Sequence, residues 1–337
     1  MFIGLSIVTL MAVTFLSAVC VNNLVKKNAA KFLFPERSLP STSPADYGFY
    51  YEEIRFHSAD GLELGGWFIP ARRADKSTIL FVHGLRGNRG SLLVQATQLL
   101  ERGYGAFFID LRNHGTSQGS ITTMTAQEIF DIEGAITYLT TRADVNAGTL
   151  GIIGHSLGAA AIRAATRQPE IKYVIAQAAF ADLCESMHQA ARMLTGLRSD
   201  NKVATALIRP FVSLMIRYAK KKVGHEPETI SPVRELKQMP AKPMLFMHGL
   251  EDKTISACNS EQLFEHARGE KELILLEGTG HSSFRNQDYH TYIHSVIRFV
   301  EQNTQTNTSG LFGLASLTMH QPYEHRSPFI RQKALSA

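Results

Sequence analysis

Cysteine is scarce in this 337-residue chain, which carries only Cys20, Cys184 and Cys258. Three cannot build a disulfide framework, and none stands in a CxxC pair of the kind that holds a metal or a redox site. Net charge is small as well. Lys and Arg number 35 against 30 Asp and Glu, a formal excess of +5, whereas a dedicated nucleic-acid surface needs concentrated basic patches. Charged side chains are absent altogether from Met1 to Val25. At 44% hydrophobic residues the chain is too apolar for a disordered protein, and its length suits one or two globular domains.

The uncharged stretch is long enough to cross a hydrocarbon core of roughly 30 Å as a helix. It predicts a single-pass membrane anchor over residues 1–25. A cleaved signal peptide, giving a secreted or periplasmic protein, is the alternative, but no Lys or Arg precedes the apolar run and the run is long for such a segment. Lys26, Lys27, Lys31 and Arg37 all follow it, and the positive-inside rule then favours a cytoplasmic domain. Residues 26–47, with Pro35, Pro40 and Pro44, read as an extended linker. A folded domain is expected over 48–302 and a flexible tail over 303–337, where regular apolar spacing is lost.

Between the ends the pattern is α/β. Tyr50 to Ile69 reads as a hairpin turning at Asp60-Gly61. Short apolar runs follow at Thr78–Val82, Ala106–Ile109, Leu150–Ile153, Tyr173–Ala176, Met244–Met247 and Leu273–Leu276, as expected of strands buried on both faces. Helical spacing separates most of them, near Arg89–Arg102, Ala126–Thr141, Leu157–Arg167, Ser260–Ala267 and Asn286–Gln302. This alternation implies a mostly parallel sheet with helices on both faces. Ligands in such sheets sit at the carboxyl ends of the strands.

One of those ends carries Gly154-His155-Ser156-Leu157-Gly158, the G-x-S-x-G pattern of a nucleophile elbow, preceded by a strand and followed by an Ala-rich helix as the elbow requires. Glycine neighbours are expected to clear its crowded turn. A serine hydroxyl needs an adjacent base that is oriented by a third group. Asp252 follows the strand ending at Met247, and His281 stands in a Gly-flanked loop after the strand ending at Leu276, so acid and base reach the same rim. Asp182 also follows a strand and is an alternative acid, while Glu251 reads as a solvated neighbour. For a developing oxyanion, the backbone N–H groups of Leu157 and of Leu85, in the loop after the first parallel strand, are the candidate donors. His83 reads as a brace for that loop; Arg86 fits either a substrate contact or a solvated side chain.

His83-Gly84, Asp110 to Ser117, the elbow around Ser156, His248-Gly249-x-x-Asp252 and Gly280-His281 together resemble the motif series of the alpha/beta-hydrolase superfamily. Within it the chain is similar to membrane-anchored, serine aminopeptidase-like members. The resemblance implies the alpha/beta-hydrolase fold, with Ser156 as nucleophile, Asp252 as acid and His281 as base. One departure stands out: the segment that usually reads D-x-R-G-x-G-x-S has Asn113 at its first Gly, a change expected to alter the cleft wall.

Between Ala181 and Pro240 no strand pattern occurs, and helical patterns near Leu183–Leu194 and Val203–Val223 suggest a lid. Most of the basic excess lies there, beside Leu207, Phe211, Leu214, Met215 and Tyr218, whose spacing suits covering an acyl pocket, resting on anionic lipid or packing on the domain. The sequence therefore predicts a serine hydrolase acting on an ester or related acyl bond of a small or lipid-like substrate. It would need no metal or organic cofactor. An amidase or aminopeptidase of the same fold is the alternative, and a non-catalytic scaffold is disfavoured because all three residues are present.

Overall fold

The computed structural model describes residues 2–73, 75–194, 202–226, 229–282, 289–304 and 330–335. Among them nine strands form one sheet: β1 (Glu52–His57), β2 (Glu63–Ile69), β3 (Thr78–Val82), β4 (Gly105–Ile109), β5 (Leu150–His155), β6 (Ile171–Gln177), β7 (Met244–Gly249), β8 (Lys271–Leu276) and β9 (Ile330–Leu335). Their spatial order is β1-β2-β4-β3-β5-β6-β7-β8-β9. The pairings from β4 through β3 and β5 to β8 are all parallel. The expected hairpin is β1 against β2, with Phe56 opposite Leu64. β9 pairs antiparallel with β8 inside the stretch expected as a tail, of which residues 305–329 and 336–337 lie outside the described residues.

Strand alternation sends successive side chains to opposite faces, and both faces here are apolar. Ile79 and Phe81 of β3 enter one core cluster and Leu80 and Val82 the other. Helices α2 (Leu93–Glu101) and α9 (Tyr289–Thr304) cover the first face; α3 (Glu128–Thr141), α4 (Ala159–Arg167) and α8 (Cys258–His266) cover the second. This is the alpha/beta-hydrolase arrangement, and it aligns the carboxyl ends of β3, β5, β7 and β8 along one rim.

Among the described residues three α-helices stand between β6 and β7: α5 (Leu183–Leu194), α6 (Lys202–Val223) and the short α7 (Pro232–Leu236). The expected apolar face of α6 is kept through Phe211, Met215 and Tyr218, which pack together with Val25 and Ala29, but Leu214 is not part of it. Val212, Met215 and Ile216 are buried, whereas Leu214 is 39% exposed.

The N-terminal expectation is corrected. Among the described residues no helix is long and apolar enough to cross a membrane, which overturns the single-pass anchor and the orientation built on it. Helix α1 (Phe2–Leu33) runs past Val25 through Lys26, Lys27 and Lys31, and its last turns are committed to protein contacts. Val25, Ala29 and Leu33, four residues apart on one face, are buried, and Val25 and Ala29 pack with Met215 of α6. Hydrogen bonds fasten the same segment. Leu33 O accepts from Thr122 N at 2.8 Å, and the Arg37 guanidinium donates to Ser117 O at 2.7 Å and to Gly119 O.

Asn113, the departure from the motif, belongs to this clasp. Its φ of +61° lies in the left-handed region, which Asn tolerates better than other side chains. Its Nδ2 donates to Thr122 Oγ1 at 3.2 Å and to Leu33 O at 3.4 Å. A glycine there would supply the turn but not the tie to α1.

Candidate active site

The chain leaves β5 at His155 and enters α4 at Ala159, with Ser156 between them at φ +56°. That left-handed backbone is strained for a serine and is held by close packing of strand on helix. A Cβ built on Gly154 would meet Gly158 Cα at 2.7 Å and Ala161 Cβ at 3.0 Å, while one on Gly158 would meet nothing within 4 Å. Only the first glycine of the elbow is thus required by space. Gly154→Ala is expected to destabilise the fold by about 1–3 kcal/mol, the usual cost of overpacking. Gly158→Ala should stay within about 0.5 kcal/mol of the parent. Urea unfolding midpoints of the two variants check this, and equal losses would refute the steric assignment.

Ser156 Oγ donates to His281 Nε2 at 2.9 Å, and His281 Nδ1 donates to Asp252 Oδ2 at 2.6 Å. Asp252 is itself fully bound. Its Oδ1 accepts from Thr254 N at 2.7 Å and Ile255 N at 2.9 Å, and Oδ2 also lies 3.2 Å from His248 Nε2. Burial opposes ionisation of this carboxyl, but the hydrogen bonds from His248 and His281 and the neighbouring N–H groups prevail and hold it well below the usual carboxylate range. An ionised Asp252 fixes the proton of His281 on Nδ1. Nε2 is then left as an acceptor facing the serine.

Two further histidines position this chain. His248, fully buried, accepts from Ser260 Oγ at 2.7 Å through Nδ1 and donates to Ile255 O at 2.9 Å through Nε2, beside Asp252. His155 Nε2 donates to the backbone oxygen of His281 at 2.8 Å; burial, with the neighbouring His281, pushes its pKa down to about 4, so it is neutral near pH 7.

The loop after β3 comes against the serine because Gly84 has no side chain: a Cβ there would meet His155 Nδ1 at 3.0 Å and Ser156 Cβ at 3.1 Å. His83 braces the loop, its Nδ1 donating to Gly84 O at 2.7 Å and its Nε2 accepting from Leu111 N at 3.1 Å. His114 accepts from Arg86 N at 3.2 Å. Leu85 and Leu157 line the same cavity as Ser156 and His281, about 660 Å³ in volume.

Residues 79–292, well over half of the chain, match the model of the Alpha/beta hydrolase family. The chain belongs to that family. The uncharacterized protein YfhR of Salmonella typhimurium is 28% identical over 302 residues, 88% of this chain and 95% of YfhR. YqkD of Bacillus subtilis, also uncharacterized, is 27% identical over 247 residues, 72% of this chain and 77% of YqkD. Among solved structures, the esterase Pf2001 of Pyrococcus furiosus shares the fold with a TM-score of 0.65 at 22% identity, over 82% of this chain and 99% of its own.

In this alpha/beta hydrolase the structure brings Ser156, His281 and Asp252 into one hydrogen-bonded line and sets the alternative acid, Asp182, and the neighbouring Glu251 elsewhere. Asp182 caps the start of α5, accepting from Glu185 N at 3.1 Å, and Glu251 accepts from Gly278 N at 3.0 Å. Arg86 donates to Lys31 O of α1 at 3.3 Å. The sequence reading missed the roles of His248 and His155, although both stand inside quoted motifs. It also missed Asn28, Lys31 and Phe32 of α1, which line the cavity from a stretch expected as an extended linker. Among the described residues no group of three or more His, Cys, Asp or Glu side chains is arranged to hold a metal ion.

Proposed function

We propose that the protein is a serine hydrolase that cleaves an ester or related acyl bond by way of an acyl-enzyme. The observation that carries this reading is the unbroken line Ser156 Oγ to His281 Nε2 to Asp252 Oδ2, at 2.9 Å and 2.6 Å, opening on the cavity. In the cycle, His281 Nε2 takes the Ser156 proton as Oγ attacks the acyl carbon, and the ionised Asp252 stabilises the imidazolium that forms. The N–H groups of Leu85 and Leu157 receive the developing oxyanion. His281 then protonates the leaving oxygen. Water, deprotonated in turn by His281, attacks the acyl-serine and frees the acid, returning the proton to Ser156.

The fold shared with the esterase Pf2001 is compatible with an ester substrate, and the choice between ester and amide rests on the assay. The test uses the purified full chain and a fluorophosphonate, followed by peptide mapping. Covalent label on the peptide containing Ser156, with short acyl esters turned over faster than aminoacyl amides, is the expected result. Absence of label, or label on another serine, rejects the mechanism; faster amide cleavage would instead assign a peptidase.

A further inference from the structure

We infer that the substrate is a single-chain acyl ester whose leaving group carries an anion; this deepens the serine-hydrolase reading and rests on it. Two properties of the cavity lead there. Its far wall is apolar and soft, made by Phe32 of α1, Leu183 and Met187 of α5, and Phe211, Val212 and Met215 of α6. Its volume of about 660 Å³ falls in the range of roughly 300–1,000 Å³ that encloses a small organic ligand. Behind it lies a second void of about 60 Å³, walled largely by apolar side chains and sharing Phe32, Met124, Leu183, Met187 and Met215 with the first. Methionines fill irregular gaps and change rotamer readily. Displacing Met187 or Met215 joins the two spaces into one path, narrow and apolar, suited to one alkyl chain.

The second property is charge. Among the described residues, histidines aside, the ionisable side chains lining the cavity are Lys31, Arg86 and Lys253, with no Asp or Glu. Lys31 and Arg86 stand together where α1 meets the loop after β3: Arg86 donates to Lys31 O, and Lys31 Nζ donates to Asn28 Oδ1 at 3.4 Å. All three cations are exposed, so they keep their water beside a neutral ester, whereas an anionic leaving group gains their attraction at the rim of the cavity. Helix α1 thus contributes to both properties, Phe32 to the apolar wall and Lys31 to the charge.

The test compares kcat/KM of the full chain on 1-decanoyl lysophosphatidic acid and on 1-decanoylglycerol, which differ by the phosphate alone. The phosphate-bearing ester is expected to be preferred by about tenfold or more, since exposed ion pairs add up to about fivefold each. The preference should shrink between 0.05 and 0.5 M salt, where screening is strong. In the Lys31→Gln/Lys253→Gln variant the ratio of the two kcat/KM values should fall about tenfold, through KM. On neutral p-nitrophenyl esters each added methylene should raise kcat/KM by up to about fourfold, the value for full burial. Equal rates on the two decanoyl esters, or a ratio unmoved by the double substitution, overturn this assignment while p-nitrophenyl butyrate turnover and labelled Ser156 leave the serine hydrolase standing. No turnover of any ester overturns both.

Discussion

Ser156→Ala is expected to lower ester turnover on the order of 10⁶-fold, and His281→Ala by a similar amount, with the double variant no slower than either. The non-additivity follows from the geometry. Without the serine there is no hydroxyl for His281 Nε2 to deprotonate, and without the histidine the Ser156 proton, held 2.9 Å from Nε2, has no acceptor. What remains is the contribution of the backbone donors and of substrate binding. Asp252→Asn should cost about 10⁴-fold, for a different reason: the new amide can donate to His281 Nδ1, moving the ring proton to Nε2 and removing the acceptor that Ser156 needs. Folding is expected to survive Ser156→Ala, because that side chain hydrogen-bonds into the cleft and the strained turn is set by Gly154 and α4. Steady-state hydrolysis of p-nitrophenyl butyrate, with unfolding midpoints as control, reads all of these. A Ser156→Ala protein retaining a tenth of parental turnover would remove Ser156 as nucleophile.

The parallel sheet was legible because burial on both faces leaves a local mark, a short run of uninterrupted apolar residues ended by glycine or a polar residue. Each expected run lies within a strand, extended by no more than two residues at either end. The strand ends then located Ser156, Asp252 and His281, since the topology alone brings those ends to one rim. The N-terminal helix was illegible for the opposite reason. A stretch free of charge reads alike whether its partner is lipid or protein, and the residues that hold α1 are distant in sequence: Leu33 to Thr122 and Asn113, Arg37 to Ser117, Val25 to Met215. Nothing near Lys31 announces that it lines a cavity with Ser156. His248 was hidden differently. It stands in a motif that was read for its acid, and its role depends on Ser260 and Ile255 approaching from the turn of chain after Asp252.

The second large effect expected is on stability in mild acid, and its sign comes from the buried histidines. Burial drives the His83 ring down to about 3 and His155 down to about 4, against about 6.5 for the unfolded chain. Above pH 6.5 both states are neutral at these positions and pH has no effect through them. As pH falls below 6.5 the unfolded chain takes up protons that the folded chain refuses, so stability drops by about 1.4 kcal/mol per pH unit for each ring until its folded pKa is reached. The physical cause at His83 is visible: it is 2% exposed, and Nε2 must stay bare to accept from Leu111 N. Burial also pushes the Asp131 carboxyl up to about 7 against the pull of Arg112, and a carboxyl raised in the folded state works the other way, adding stability as pH falls. The histidine contribution is therefore read by difference. In His83→Gln, whose side chain can still donate and accept but cannot titrate, the loss of unfolding free energy between pH 7.5 and 5.5 should be smaller than in the parent by about 1.4 kcal/mol. Urea titrations at the two pH values measure it, and an identical loss in both proteins would show that His83 takes up its proton without cost in the folded state.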